Sequence, residues 1–172
     1  MRTALVVLLL SSPAVAMAQG AAPAKEMDAL KRMVGTWQID GSNEPTPWGK
    51  GGRFTQNETC ELFSGGHHVV CRASGTGPDG DMQSISVHYW DAAKQQYMSF
   101  VLDNTGYTAS TPFKATPGGF AWEGESPSPS GPVGFRGDAT FPDEGRSYAF
   151  KTEVRQDGKW AKASEGKGTR KK

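Results

Sequence analysis

The sequence predicts an all-β protein, folded as an up-and-down antiparallel barrel of about ten strands with a short N-terminal helix. Two observations favour this class. Short segments alternate between polar and apolar residues, the period of a strand with one buried face. The 22 glycines and 11 prolines fall largely between these segments as turn signals. The turns are too short for crossover helices, and a long antiparallel sheet closes to remove its edges. A two-sheet sandwich is the alternative.

Each alternating segment can be placed between turn signals such as Gly65-Gly66. The predicted strands cover residues 36–42, 52–63, 67–76, 82–91, 96–104, 106–114, 119–126, 132–141, 146–156 and 159–168. Before the strands, residues 25–34 carry apolar side chains at Met27, Leu30 and two further positions spaced by three and four. That spacing predicts one amphipathic helix, which ends at Gly35.

The first residues have the order of a secretory signal peptide. A positive charge at Arg2 is followed by an apolar run over residues 4–10 and by small residues at Ala16 and Ala18. The run is far shorter than the roughly 20 residues that span a bilayer. We therefore expect residues 1–18 to be removed on export and the product to be periplasmic or secreted. A buried first helix is the alternative.

The remaining residues, 19–172, are predicted to form a single domain. Of the 19 basic and 18 acidic side chains of the whole chain, only Arg2 is lost, which leaves 18 of each. A domain without a basic excess has no electrostatic footprint for nucleic acid or for an anionic membrane. We therefore expect no nucleic acid as a partner and no membrane insertion. The sequence does not indicate the oligomeric state.

The two cysteines are predicted to form a disulfide. A two-residue turn at Gly65-Gly66 pairs residues whose numbers sum to 131, so that Cys60 faces Cys71. Pair types alternate from this turn, which makes Cys60 and Cys71 a hydrogen-bonded pair of the antiparallel ladder. The Cα atoms of such a pair lie about 5.5 Å apart, which is within disulfide range. An oxidising compartment favours the bond. No metal site is expected, because the thiols are oxidised and the neighbours His67 and His68 point to opposite faces of a strand.

Several stretches together resemble one known family. They are residues 30–41, 48–54, 59–61, 65–71, 75–80, 157–160 and 165–170. They are similar to an exported bacterial family known only as a domain of unknown function, with a lipocalin-like (calycin) barrel. The resemblance implies a fold that usually holds a small apolar or amphipathic ligand, and it implies no catalytic residue. It also implies that Trp37 plugs one end of the barrel beneath a basic side chain of the last strand, Lys162 or Arg170.

One strand face mixes polar and aromatic side chains, among them Ser86, His88 and Trp90, and Phe100 alternates similarly on the next strand. An apolar wall with a few polar groups is typical of a ligand cavity, so these four residues are the predicted ligand-binding site. His88 is the expected anchor for a carboxylate head, most clearly below about pH 6.5, where an unperturbed imidazole is charged. The alternation does not decide which face points inward, and a solvent-facing surface is the alternative.

Three functions from different classes are possible for such a barrel. The first is a small-ligand carrier or sensor, the second a structural or protein-interaction module of the cell envelope, and the third an enzyme. The enzyme is least favoured, because no Gly-x-Ser-x-Gly elbow or other catalytic signature is present. No cofactor is expected: a haem protein similar to the nitrobindins needs an inward histidine on a late strand, and none follows His88. A hollow interior would favour the carrier, a filled one the interaction module, and a buried perturbed acid or base the enzyme.

Overall fold

A computed structural model describes residues 22–47, 49–128, 131–143 and 145–172. The predicted signal peptide, residues 1–18, lies outside the described residues. Within them, no helix has the length and apolar character that crossing a membrane requires.

The described chain begins with a single helical turn and continues almost entirely as strands. The elements are α1 (Met27–Leu30), a 3-10 turn (Lys31–Met33), β1 (Gly35–Asn43), β2 (Gly52–Phe63), a 3-10 turn (Ser64–Gly66), β3 (His68–Gly77), β4 (Gly80–Asp91), β5 (Gln96–Asp103), β6 (Thr108–Thr116), β7 (Gly119–Ser126), β8 (Val133–Thr140), β9 (Ser147–Gln156) and β10 (Lys159–Arg170). The all-β prediction is confirmed, and the ends of the ten strands differ from the predicted ends by at most two residues. The predicted helix is shorter, because its second half is a 3-10 turn and Val34 is already extended.

The ten strands form one closed antiparallel barrel in the order β1-β10-β9-β8-β7-β6-β5-β4-β3-β2. Each strand pairs with its neighbours in sequence, and β1 closes the sheet against β10. Closure leaves no edge strand with unpaired backbone groups. The arrangement is therefore the up-and-down barrel, and the sandwich alternative is excluded.

Cys60 and Cys71 are joined in a disulfide across β2 and β3, as predicted. The type of strand pair differs from the expectation, because their Cα atoms lie 4.0 Å apart, nearer the roughly 4.5 Å of a non-hydrogen-bonded pair. The loop holds four residues, 64–67, instead of two, and the ladder begins at Phe63 and His68. Because the first pair of the ladder lies one position further from the turn, each expected hydrogen-bonded pair becomes a non-hydrogen-bonded pair, and the reverse. The residues that stand opposite each other stay the same.

Trp37, near the start of β1 where β1 pairs with β10, closes one end of the barrel. Its side chain is only 1% exposed. Its Nε1 donates a hydrogen bond to the carbonyl oxygen of Met33 at 2.8 Å. The Arg170 guanidinium lies over the indole, 4.3 Å from the ring centroid, and donates to the carbonyl oxygen of Val34. Trp37 therefore lies beneath a basic side chain of the last strand, as expected, and that side chain is Arg170 and not Lys162. The Trp37 ring also lines the central cavity, so it is not only a plug.

Five inward-facing aromatic side chains stand directly opposite a glycine on the neighbouring strand. The pairs are Phe54–Gly41, Trp122–Gly137, Phe135–Gly124, Tyr148–Gly168 and Phe150–Gly166. A Cβ atom placed at any of these glycines would lie 2.1–3.1 Å from an atom of the partner ring. Each ring therefore occupies the volume that a side chain on the next strand would fill. The rings lie along the wall, and the interior stays open.

Gly168→Ala should lower the free energy of unfolding by about 1–3 kcal/mol, because the added methyl group displaces the Tyr148 ring from a packed site. Gly118→Ala is the matched control, since nothing lies within 4 Å of a Cβ atom there. We expect the control to be neutral or slightly stabilising. Urea unfolding measures both variants, and equal stabilities would contradict the packing of rings on glycines.

Candidate functional site

The barrel encloses a cavity of about 580 Å³ beside the sealed end. One side of the cavity is formed by β2, β4, β5 and β6 and carries most of the polar side chains, which alternate with apolar ones such as Phe54, Met82 and Phe113. Its polar side chains are Gln56, Glu58, Ser84, Ser86, His88, Ser99 and Thr111. The opposite side, formed by β7, β8, β9 and the segment that joins β8 to β9, is aromatic. Its rings are those of Phe120, Trp122, Phe135, Phe141, Tyr148 and Phe150. The cavity is therefore amphipathic from side to side.

The structure brings two of the four predicted ligand-binding residues into the cavity. Ser86 and His88 both line it. Trp90 is on the same strand face but lies beyond the cavity, where it packs 4.9 Å from the Tyr97 ring and against the buried cluster beneath α1. Phe100 lies on the outer face of the barrel and is 39% exposed.

The position of Phe100 follows from the register between β4 and β5. Phe100 stands opposite Val87, whereas His88 stands opposite Ser99 and Ser86 opposite Val101. Residues directly opposite each other share a face, so the inward set passes from even-numbered residues in β4 to odd-numbered residues in β5. The expectation that Phe100 shares the face of His88 is therefore wrong, because the alternation within one strand does not fix its register to the next.

His88 is neutral in this setting. Its Nε2 lies 3.0 Å from the Ser86 hydroxyl oxygen, and its ring packs edge-on to Phe113 with centroids 6.1 Å apart. Burial lowers the pKa of the imidazole to about 4, because protein atoms replace the water that would solvate the charged form. The expectation of a charged His88 just below pH 6.5 is therefore wrong.

Glu58 is the acid of the cavity, and the sequence did not single it out. Burial raises the pKa of its carboxyl group to about 7. Burial and the nearby Glu58 carboxylate also raise the pKa of the Tyr148 hydroxyl. No hydrogen bond or ion pair joins the Glu58 carboxyl group to another of the described residues. Its position two residues before Cys60, on the same strand face as the predicted disulfide, was the available signal.

A carboxylate oxygen of Glu58 lies within 4.8 Å of the sulfur atoms of Cys60 and Cys71. Metal binding by cysteine requires thiolates, and these two sulfurs are bonded to each other. Glu58 is then the only one of these three side chains that could bind a metal ion. Across the described ranges no other His, Cys, Asp and Glu side chains form a group of this kind.

Comparison with known proteins gives a family and a fold. A family model described as "Protein of unknown function (DUF1579)" matches residues 22–170. No curated protein matches the sequence. The crystal structure of Rv2717c from M. tuberculosis is similar with a TM-score of 0.59 and 11% identity, over 87% of this chain and 99% of that one. The S-type phycobiliprotein lyase CPES from Guillardia theta is similar with a TM-score of 0.57 and 12% identity, over 84% of this chain and 92% of that one. At these identities the likeness shows the fold alone.

Glu58→Gln should stabilise the protein more at pH 8 than at pH 4.5. A carboxyl group whose pKa is raised on folding contributes its full stability below the unfolded pKa of 4.5 and loses it as pH rises through about 7. Glutamine cannot ionise, so the gain in free energy of unfolding should grow by about 3 kcal/mol between the two pH values. Urea unfolding at both pH values measures it. Glu61→Gln, on the outer face of the same strand, should show no such growth, and an equal response of both variants would contradict the assignment.

Proposed function

This chain belongs to the DUF1579 family of proteins of unknown function, and we propose that its barrel binds a small apolar or amphipathic molecule in the central cavity. The observation that carries the proposal is the hollow interior. Ligand sites are typically about 300–1,000 Å³ and mainly apolar, with a few polar groups that orient the ligand. The cavity of about 580 Å³, with its aromatic and polar sides, has this character.

The size of the cavity favours the carrier over the interaction module. A water molecule takes about 30 Å³ of liquid volume, so the space is many times larger than the gaps of a packed core. A barrel that served only as a scaffold would gain stability by filling that space with side chains. The glycines opposite five of the inward rings instead let those rings lie along the wall, so that the interior stays open.

The entrance lies at the end of the barrel away from α1. A second cavity of about 300 Å³ is formed there by the loop after β1 and by neighbouring strand ends. Asn43, Tyr107, Phe135 and Ser164 line both cavities. A ligand would therefore enter past these four residues and move toward the sealed end.

The apolar contact alone gives only weak binding. Burial of an eight-carbon chain supplies about 0.8 kcal/mol per methylene, or roughly 6 kcal/mol, and association costs several kcal/mol of that. Hydrogen bonds from the polar side must add to it before affinity reaches the micromolar range, which corresponds to about 8 kcal/mol. Ser86, His88 and Glu58 are the groups placed to supply them.

The contact between Ser86 and His88 is the feature that favours an enzyme. A serine within hydrogen-bond reach of a histidine is the start of a nucleophilic dyad. Such a histidine needs a third group that orients it, and no hydrogen bond to His88 Nδ1 is found among the described residues. With a pKa of about 4, the imidazole is also a weak base at neutral pH. We assign the pair to the hydrogen-bonding wall of the cavity.

We also propose that the protein is exported to the periplasm or the cell exterior. The disulfide between Cys60 and Cys71 supports this, because such bonds persist in oxidising compartments.

Ala109→Trp should weaken binding of the fluorescent probe N-phenyl-1-naphthylamine at least roughly tenfold. Ala109 lines the cavity, so an indole there removes part of the apolar surface and volume that the probe would use. Ser110→Trp is the matched control, because Ser110 lies opposite Phe100 on the outer face and should leave the affinity unchanged. Probe fluorescence measures both, and circular dichroism checks the fold. Equal loss in both variants, or loss in neither, would contradict binding inside the barrel.

A further inference from the structure

Resting on the proposed function, we propose that the ligand is an apolar amine, bound as its ammonium ion with the Glu58 carboxylate as counter-ion. The charges that line the cavity point to this class. Glu58 is the one acidic side chain of the described lining, and no lysine or arginine is among the lining residues. Inside this cavity, a ligand that carries a positive charge would therefore meet an opposite charge only at Glu58.

The surroundings of Glu58 leave its carboxyl group available to a ligand. On the adjoining strands its direct neighbours are Trp37 and Ala73, neither of which offers a donor to it in the described structure. An unpaired carboxyl group in a largely apolar space costs free energy unless it is protonated or paired. An ammonium group would supply the missing donor and the missing charge together.

The aromatic rings beside Glu58 favour the same ligand. The Trp37 ring lies 5.0 Å from the Tyr148 ring, edge to face, and Glu58 stands across from Trp37 and acts electrostatically on Tyr148. Aromatic faces attract cations, and the attraction is strongest where water is excluded. Because Arg170 already lies over the Trp37 ring, the Tyr148 ring is the neighbour that would add to the attraction of the carboxylate for a cation.

The same set of charges in the cavity lining disfavours a ligand with a carboxylate head group. Its charge would lie in a cavity that already holds an acid, and like charges at close range oppose ionisation of both. His88 does not compensate, because burial keeps its imidazole neutral. A neutral alcohol would be accepted through hydrogen bonds to the polar side chains of the cavity, but it would form no ion pair with Glu58.

Few other charged or titratable groups face Glu58. They are His88 from β4, the Tyr148 hydroxyl from β9 and, on β10, Arg170, whose guanidinium is held on the Trp37 ring and on backbone carbonyl groups. His88 and Tyr148 are both neutral between pH 6 and 8, because burial lowers the pKa of the first and raises that of the second. Glu58 is therefore the group whose ionisation changes in this interval.

The test compares octylamine, 1-octanol and octanoate as competitors that displace N-phenyl-1-naphthylamine from the full chain at pH 8. We expect octylamine to bind at least roughly tenfold more tightly than octanol, and octanoate to bind more weakly than both. Glu58→Gln should remove the advantage of octylamine over octanol, and circular dichroism checks that the variant is folded. Glu61→Gln, whose side chain pairs with Arg72 on the outer face, should leave all three affinities unchanged.

Measurement of the same affinities at several pH values gives an independent test. Between pH 6 and pH 8 the ionised fraction of a group with a pKa near 7 rises roughly tenfold, so octylamine affinity should rise by about that factor while octanol affinity stays constant. Displacement by octanol or octanoate that equals or exceeds displacement by octylamine would overturn the amine inference and leave the proposed function standing. Failure of the probe and of all three competitors to bind would overturn both.

Discussion

The packing of inward aromatic rings on glycines is the constraint on which the rest of this barrel depends. A barrel of about eight strands has an interior that side chains can just fill or that holds one small ligand, and a barrel of ten strands is wider. Here five of the inward rings stand opposite a glycine on one neighbouring strand, and each of these rings takes the space of the missing side chain. The wall gains cross-strand packing while the centre stays empty. The sealed end, with Trp37 under Arg170, closes the space at its base.

An enclosed space of this kind also governs the charge states of its polar groups. Removal of water disfavours the charged form of every buried group, so the pKa of His88 falls to about 4 and that of Glu58 rises to about 7. Around neutral pH the cavity therefore carries at most the single charge of Glu58. Under the proposed function, the cavity would accept either a neutral amphipathic molecule or one whose positive charge completes an ion pair, and the energetic cost of an isolated carboxylate would give the amine its advantage.

The sequence predicted the fold closely because strand period and turn chemistry are local. Glycine and proline signals located the ten strands, and the hairpin around Gly65-Gly66 placed Cys60 opposite Cys71. The site was predicted only in part. Ser86 and His88 line the cavity, but Phe100 faces outward, because a single strand's alternation gives no information on its register to the next.

Ionisation was harder still to predict from the sequence. A lone histidine and a lone glutamate have ordinary pKa values until their burial is known, and burial follows from closure of the whole barrel. The pattern that reports a hollow interior was present, with Gly166 and Gly168 alternating on β10 and Tyr148 and Phe150 alternating on β9. It becomes meaningful only once the register of β9 and β10 sets each ring against its glycine.

The most direct test of a hollow, ligand-binding barrel is a crystal structure of the full chain in complex with N-phenyl-1-naphthylamine. The account predicts electron density for the probe inside the barrel, between the aromatic side that includes Trp122 and Tyr148 and the polar side that includes Ser86 and His88. Rings that cross and fill the interior, with the probe bound on the outer surface beside Phe100, would contradict it.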